Sequence, residues 1–592
     1  MQRFFLNVES SALARPWRDR LDLAATGQAE AMVQLHGIPD IVARVMAGRG
    51  VKAEQAQAFL DPRLRDLMPD PLTLRDMEPA LERLADAIQS GQTIAIFGDY
   101  DVDGACSAAL LAQYAQAADC PFIIHIPDRI FEGYGPNIAA IDALRKAGAQ
   151  LLVTVDCGTT SLAPLAHARA LGLDTIVLDH HQAPQELPDA VVVNPNRQDD
   201  LSGLGQLCAA GVVHLTLVGL HRLLRARGFW TAERPGPDLM QALDLVALAT
   251  VADVAPLTGL NRAYVKRGLE AMRLRGRPGL RALMDVAGAD GPARPYHLGF
   301  LIGPRINAGG RIGDAALGAK LLMIEDEAEA KAIAAELDRL NRERRQIEGD
   351  TLELAHAEAL ASLGLADAGS VVITQGQGWH PGVVGLVASR LRESFGRPAF
   401  AIAFNGATGT GSGRSIPGVD LGRAVREAVE QGLLLKGGGH AMAAGITVHR
   451  DKLGAFRAWI EERVAHRVAL ARADDSLLVD AALTAGGAKP ELMELLERAG
   501  PYGAGNPEPV FAFPAHRITH VLEVGAGHLK VKAAAPDRSP LEAIAFRAAG
   551  TVLGKTLLEG RGEALHLAGT LSLDHWGGRA RVQLRILDCA RP

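Results

Sequence analysis

The chain lacks most of the features by which a sequence announces an unusual environment. Cysteine is scarce: Cys106, Cys120, Cys157, Cys208 and Cys589 lie far apart in 592 residues with no CxxC spacing. That excludes a disulfide framework and a thiolate zinc site and leaves them as small core residues. No stretch of about 18 uninterrupted apolar residues occurs, so no membrane span is expected. The opening MQRFFLNVESSALARPW carries Glu9 where a secretory signal would have its apolar core, and a cytoplasmic location is expected. Aromatic residues make up only 4%, too few for extensive base stacking. No tandem repeat or low-complexity segment stands out, and no GxGxxG follows the first strand of the α/β region, which sets aside a nicotinamide-binding domain. Nor does one sign of charge dominate: 62 Lys+Arg against 68 Asp+Glu gives −6. This speaks against a protein coated in basic charge but allows a local basic channel.

What is present is a globular composition, 48% hydrophobic and 22% charged, long enough for three or four domains at roughly 100 to 200 residues each. From about Thr93, short β-branched runs alternate with helical stretches: TIAIFGDYD, CPFIIHIPD, QLLVTVDCG, DTIVLDHH and AVVVNPN. Apolar runs closed by a polar cluster are the pattern of strands buried on both faces of a parallel sheet. SAALLAQYAQAA and NIAAIDALRKAG have the length of crossover helices. The fold class is therefore α/β, with a doubly wound parallel-sheet domain over 46–325 behind an N-terminal segment, 1–45, that the sequence leaves unexplained. Helices dominate 205–290, and GPRINAGGRIGD reads as a loop rich in Gly, Pro and Arg. The Pro-free stretch 326–363 predicts a long connecting helix. A second, smaller α/β domain follows over 364–470, with strands at SVVITQ and AFAIAF, a helix at VGLVASRLRESFG, and a glycine-rich stretch. Over 471–592, short strands and turns predict a small β-barrel.

Three strands of the first domain end in acidic or imidazole side chains: Asp99, Asp101 and Asp103 in GDYDVDG, Asp156 in VTVDCG, and Asp179, His180 and His181 in VLDHH. Residues just past the carboxyl ends of strands in an open α/β sheet converge on one crevice. Several carboxylates in one crevice repel each other unless some are protonated or a cation sits among them. Oxygen ligands with one or two imidazoles and no thiolate suit Mn²⁺ or Mg²⁺ better than structural zinc. There are enough for two ions about 3.5 to 4 Å apart, the arrangement of phosphoryl-transfer sites. The expected reaction class is phosphoester or phosphoanhydride hydrolysis.

GDYDVDG, VDCGTT and LDHH resemble the first three motifs of the DHH phosphoesterase superfamily, and ATVADVAPL with Asp253 resembles the fourth. GGGHAMAAG resembles the substrate-binding motif of the DHH-associated domain. GPRINAGGRIGD, DRLNRERRQIE, GWHPGVVGLVASRL and PYGAGNPEPVF resemble the RecJ branch, single-strand-specific exonucleases. The likeness runs from about 45 to 592, with five separate motifs in order. It implies a DHH catalytic domain, a DHH-associated domain and a C-terminal OB-fold. It further implies two Mn²⁺ or Mg²⁺ ions held by Asp101, Asp103, Asp156, His180 and Asp253, with Asp99 joining them or standing just outside, and Asp103 or Asp156 bridging. By the same resemblance His181 contacts the scissile phosphate or assists the leaving oxygen, and Asp179 orients a histidine. The pyrophosphatase branch has a histidine four residues before Asp101, where this chain has Phe97. That departure disfavours a small-molecule pyrophosphatase and leaves one ion's ligand set incomplete.

For the substrate, Arg305 and Arg311 flank PRINAGGR and suit bidentate phosphate contacts. GTGSGRS, read as a glycine-rich loop whose backbone can approach a phosphate closely, offers Ser412, Arg414 and Ser415, and His440 is expected where a helix begins. Trp379 and His380 belong to the same lobe, with the tryptophan expected to fill core. In the barrel, Tyr502, Phe511 and Trp576 are candidates for stacking, and Lys530, Lys532, Arg579 and Arg581 for phosphate contact. The implied activity is 5′-to-3′ hydrolysis of single-stranded DNA to nucleoside 5′-monophosphates in recombination and repair. The implied partners are a helicase and a single-strand-binding protein. A phosphodiesterase of short oligoribonucleotides or cyclic dinucleotides is the alternative; such enzymes usually lack the terminal barrel. A catalytically dead scaffold is disfavoured by the intact carboxylates.

Overall fold

The structure is a computed structural model and describes residues 4–129, 131–289, 291–364, 368–574 and 581–592. Trp576 and Arg579 lie outside the described residues. The chain divides into two compact units. Among the described residues no helix is long and apolar enough to cross a membrane.

The larger unit, Pro69–Ala255 with Tyr264–Asp474, contains two sheets. The first has β1 (Ile94–Gly98), β2 (Phe122–His125), β3 (Leu151–Val155), β4 (Asp174–Leu178) and β5 (Val191–Val193) in the order β2-β1-β3-β4-β5. All its pairings are parallel, and β1 and β3 are buried along their whole length, as their unbroken apolar runs require. The chain leaves β1 towards β2 on one side and then crosses to β3 on the other. That reversal opens the crevice of a doubly wound sheet between the carboxyl ends of β1 and β3. Around it stand α1 (Val102–Ala117), α2 (Ala209–Ala226) and α3 (Leu243–Ala252).

The segment read as a loop, GPRINAGGRIGD, is instead α4 (Gly303–Ile312), with Pro304 in its first turn, where a missing N–H costs nothing. Its glycines serve close packing rather than a turn: a Cβ on Gly310 would come 2.6 Å from the carbonyl oxygen of Tyr100. The long helix is present as α5 (Glu327–Leu363), capped by Asp326 accepting from the Glu329 N–H.

The second sheet contains β6 (Val372–Gln377), β7 (Ala399–Asn405), β8 (Thr408–Arg414), β9 (Lys436–His440) and β10 (Ala443–His449), ordered β9-β10-β8-β7-β6. The stretch GTGSGR is thus a strand, not a phosphate loop. Gly409, Gly411 and Gly413 turn to the core against Phe404, Ile402 and Phe400. The two-residue period leaves Thr410, Ser412 and Arg414 on the other face. His440 ends a strand rather than beginning a helix.

The smaller unit joins Met1–Met68, Pro256–Ala263 and Asp475–Pro592. Its centre is a closed five-stranded barrel: β11 (Phe511–Val524), β12 (His528–Ala534), β13 (Pro540–Ala545), β14 (Ala564–Asp574) and β15 (Arg581–Ala590) run β11-β12-β13-β15-β14, and β14 pairs back to β11. The N-terminal segment belongs to this unit, beyond the boundary at 45 expected from sequence. Trp17–Asp19 pairs in parallel with Leu477–Val479, and Met32, Val42 and Met46 share a core with Phe513 and Leu567. Two buried carboxylates fasten it. Asp588 accepts from Ser11 Oγ (2.7 Å), Arg15 Nε (3.1 Å) and Trp17 Nε1 (3.1 Å), and Asp480 pairs with Arg20 and Arg49. Two stacking candidates are corrected here. Phe511 is fully buried in the barrel core, and Tyr502 is partly buried with its hydroxyl donating to the Leu496 carbonyl. Lys530 and Lys532 alternate with buried Leu529, Val531 and Ala533 along β12 and so face outward, while Arg581 pairs with Glu542.

Candidate metal centre

The loop after β1 turns at once into α1. Asp101 caps the helix, its carboxylate accepting from the N–H groups of Asp103 (2.8 Å) and Gly104 (3.1 Å). Asp103 is buried, and its two oxygens accept from Ala209 N (2.7 Å) and Ala210 N (2.8 Å), the unpaired donors at the start of α2. Asp156 follows β3 with φ of +61°, a left-handed conformation that aspartate tolerates better than most residues. This turns its carboxylate into the crevice at 2% exposure. Asp253 ends α3 and opens to the same space.

His180 is held by its Nδ1–H, which donates to the Leu207 carbonyl at 3.1 Å. A carbonyl only accepts, so the tautomer is set and the Nε2 lone pair faces Asp156 Oδ1 (3.3 Å), Asp103 Oδ2 (3.7 Å) and Asp253 Oδ2 (4.0 Å). Asp179 accepts from the N–H groups of Thr159, His180 and His181 and from His181 Nδ1 at 2.8 Å. It therefore orients His181 and leaves His181 Nε2 free of that contact.

The electrostatics are those of a site short of positive charge. Burial, and then the neighbouring carboxylates, push Asp99 and Asp156 well above the usual range, and burial raises Asp103. Asp253 is pushed up to about 8 by burial, Asp103 and Asp101. His181 moves the other way: burial lowers it, but the hydrogen bond and charge of Asp179 outweigh this and raise it to about 9. Ligand atoms fall into three groups, Asp99–Asp101–Asp156, Asp103–His180–Asp253 and Asp156–His180–His181, each with atoms within 4.8 Å of one another. Asp99 Oδ1 and Asp156 Oδ1 are buried and accept no hydrogen bond from the protein. Buried polar atoms are normally satisfied, so two orphaned carboxylate oxygens facing one crevice fit divalent cations as the missing partners.

The crevice, about 340 Å³, meets a second groove of about 710 Å³ along β8 and β10, and Arg129 and Arg311 line both. Arg311 donates to the Gly382 carbonyl at 3.0 Å, and burial brings its guanidinium down to about 10. Ser412 and Arg414 line the groove 2.8 Å apart. His440 stacks on His181, ring centroids 6.3 Å apart. Trp379 packs on the core beneath and also lines the groove; His380 Nδ1 accepts from Gly382 N. Two expected substrate contacts turn inward instead. Arg305 is buried, paired with Asp338 at 2.9 Å and bonded to the Leu301 carbonyl, so it braces α4 on α5. Ser415 Oγ is buried and donates to the Val419 carbonyl.

Sequence reasoning missed Arg129, Tyr134 and Asn307. Arg129 lies over the Tyr100 ring at 5.0 Å. The Tyr134 hydroxyl donates to the Asp156 carbonyl and lies 3.2 Å from His181 Nδ1. Both follow β2, a fourth strand end at the same sheet edge, and that position was the available signal.

Comparison with known proteins agrees with this architecture. The family models for the DHH family N-terminal domain, the DHHA1 domain and the RecJ OB domain match residues 93–250, 368–466 and 479–588. The single-stranded-DNA-specific exonuclease RecJ of Escherichia coli is 38% identical over 526 residues, covering 86% of this chain and 89% of its own. That of Salmonella typhimurium is 36% identical over 572 residues, covering 93% and 96%. The crystal structure of RecJ in complex with Mn²⁺ from Thermus thermophilus superimposes with a TM-score of 0.78 at 30% identity, covering 96% of this chain and 78% of that one. The Mg²⁺ complex from the same organism gives 0.72 at 29%, covering 96% and 77%.

Proposed function

The chain belongs to the RecJ family of single-stranded-DNA-specific exonucleases, and from that premise we propose that it hydrolyses single-stranded DNA from the 5′ end to nucleoside 5′-monophosphates, with two Mn²⁺ or Mg²⁺ ions as cofactors. The observation that carries the reading is the buried carboxylate of Asp156, whose Oδ1 accepts no hydrogen bond and which belongs to two of the three ligand groups. Asp99, Asp101 and Asp156 would hold one ion, and Asp103, His180 and Asp253 the other. Such ions supply Lewis acidity, acidifying an attacking water and neutralising the scissile phosphate.

The protein's own groups do the rest. Asp179 accepts from His181 Nδ1–H and fixes the ring, so Nε2 is turned towards the space where the phosphate or the leaving oxygen would lie. Arg129 and Arg311, at the junction of crevice and groove, and Arg414 within the groove, bind phosphates and set the strand's path. The barrel, with Lys530 and Lys532 outward, supplies a separate surface suited to single strands, which favours DNA strands over dinucleotides. Duplex ends would require unwinding, so a helicase and a single-strand-binding protein are the fitting partners, in the cytoplasm, in recombination and repair.

Degradation of a 5′-labelled 30-mer, single-stranded or in blunt duplex, tests this. Hydrolysis of the single strand to mononucleotides, abolished by EDTA and restored by Mn²⁺, is expected, with the duplex cut poorly. Undiminished hydrolysis after exhaustive chelation would overturn the metal assignment, and equal rates on both substrates the strand selectivity.

A further inference from the structure

The groove along β8 and β10 is longer than a single phosphate needs. Arg129, Arg311, Arg414 and Lys436 line it, and among the described residues no Asp or Glu does. In a chain with more acidic than basic side chains, a space of about 710 Å³ whose charged groups are all cations selects anions.

Strand register orders the floor of this groove into rows. Residues paired across a sheet point to the same face, and every second residue along a strand returns to it. Nearest the crevice stand Arg414, Ala443 and His440, next Ser412, Gly445 and Gly438, and then Thr410, Thr447 and Lys436. The stacking of His440 on His181 fixes which end borders the carboxylates. A Cβ on Gly385 would come 3.0 Å from Arg414 Nη2 and 3.3 Å from Ser412 Oγ, so the start of the helix Val384–Phe395 closes over these two side chains. Beyond them the floor is open. A Cβ on Gly438 or Gly445 would meet nothing within 4 Å, and Thr410 and Lys436 are exposed. Arg414 reaches back to Ser412 Oγ at 2.8 Å, which brings its guanidinium to the second row. Two residues of strand, about 6.7 Å, separate that row from the third.

Resting on the exonuclease reading, in which Ser412 and Arg414 hold the phosphate 5′ of the departing nucleotide, we propose that Thr410, Thr447 and Lys436 form a subsite for a further phosphate on its 5′ side. The hydroxyls donate hydrogen bonds and the lysine supplies a point charge. Such a phosphate has two sources, a terminal 5′-triphosphate or the preceding nucleotide of a strand threaded one step further. In either case water attacks the scissile phosphorus, the bond to the 3′ oxygen breaks, that oxygen takes the proton, and the remaining strand keeps the phosphate. The first product is a nucleoside 5′-triphosphate from the one source and a dinucleotide from the other.

The test compares thymidine 20-mers bearing a 5′-monophosphate or a 5′-triphosphate. Binding is read by anisotropy in EDTA, where no cleavage occurs, and first products are read after Mn²⁺ is added, for the full chain and for Lys436→Ala, Lys436→Arg and Thr410→Val. Wild type is expected to bind the triphosphate end about tenfold more tightly than the monophosphate end, with a steeper salt slope. Lys436→Ala should erase both differences while leaving monophosphate affinity within about twofold, and Lys436→Arg should keep them. Equal affinity for the two ends, together with release of dinucleotide that Lys436→Ala diminishes, would assign the subsite to an upstream nucleotide. Equal affinity with mononucleotide as the sole first product, or a triphosphate preference that survives in Lys436→Ala and Thr410→Val, would overturn the subsite. A wild-type protein that neither binds nor degrades the monophosphate strand would instead overturn the exonuclease reading itself.

Discussion

Replacing Asp156 by Asn removes one charge and almost nothing else: the side chains are isosteric, and asparagine also tolerates the left-handed φ of +61°. In the bare protein this should be stabilising. The ligand atoms of Asp99, Asp101 and Asp156 lie within 4.8 Å of one another. At an effective dielectric of 20, each pair of full charges at that distance repels by about 3.5 kcal/mol. Two of the three repulsions involve Asp156, so the substitution relieves up to about 7 kcal/mol, less whatever protonation has already relieved. With Mn²⁺ present the sign reverses, because the variant has lost the carboxylate shared between two ligand groups. The expected pattern in a thermal melt at pH 8 is a crossover. Stripped variant should unfold a few degrees above stripped wild type, and millimolar Mn²⁺ should raise the wild type well past it while moving the variant little. Turnover on single strands should fall by about 10³-fold or more. If stripped variant is no more stable than wild type, and Mn²⁺ stabilises both equally, the charge crowding inferred at this crevice does not exist and the ligand assignment falls with it.

Arg414→Ala should weaken single-strand binding and reduce the salt slope by about one, read from anisotropy across 50–200 mM salt; an unchanged slope would remove Arg414 from the phosphate contacts. Asp588→Ala leaves Arg15, Trp17 and Ser11 without their acceptor and should cost about 3 to 5 kcal/mol, seen as earlier melting of the smaller unit and protease cleavage within the first 68 residues; wild-type resistance would refute the fastening role. His214 is fully buried, with Nε2 facing the Leu239 carbonyl and Nδ1 the Tyr264 hydroxyl, and burial lowers its pKa to about 4. Its contribution is complete above the unfolded value near 6.5 and is lost as pH falls towards 4, by about 3 kcal/mol in all. His214→Gln should therefore flatten the fall in melting temperature between pH 7 and 5, and parallel curves would refute this.

The catalytic sheet was legible because its strands are buried on both faces and end abruptly in charge. An apolar run followed by Asp or His needs no knowledge of tertiary packing to be placed at a strand end. The same rule, applied to FIIHIPDRIFEGYG, would have reached Arg129 and Tyr134, but their loop has no periodicity and its polar residues look like ordinary surface. Glycine misled twice. In α4 and β8 it answers a demand for close packing against Tyr100 and Phe400, which composition cannot distinguish from a flexible loop. Arg305 and Arg311 are six residues apart and alike in sequence, yet the helix sends one to Asp338 and the other to the crevice. The partners of Trp17, Arg20 and Arg49 in the smaller unit were invisible because they lie more than 400 positions away, beyond the reach of any local pattern.

That separation bears on how the molecule is made. Trp17, Arg20 and Arg49 find partners in Leu477, Asp480 and Asp588, so during translation the leading segment emerges before the apolar surface that completes its core. At about 5 to 20 residues per second, the ribosome needs roughly 20 to 110 seconds to deliver the complementary residues. Through that interval the apolar face that will meet the barrel stays uncovered, and an arrest between the two segments leaves it so.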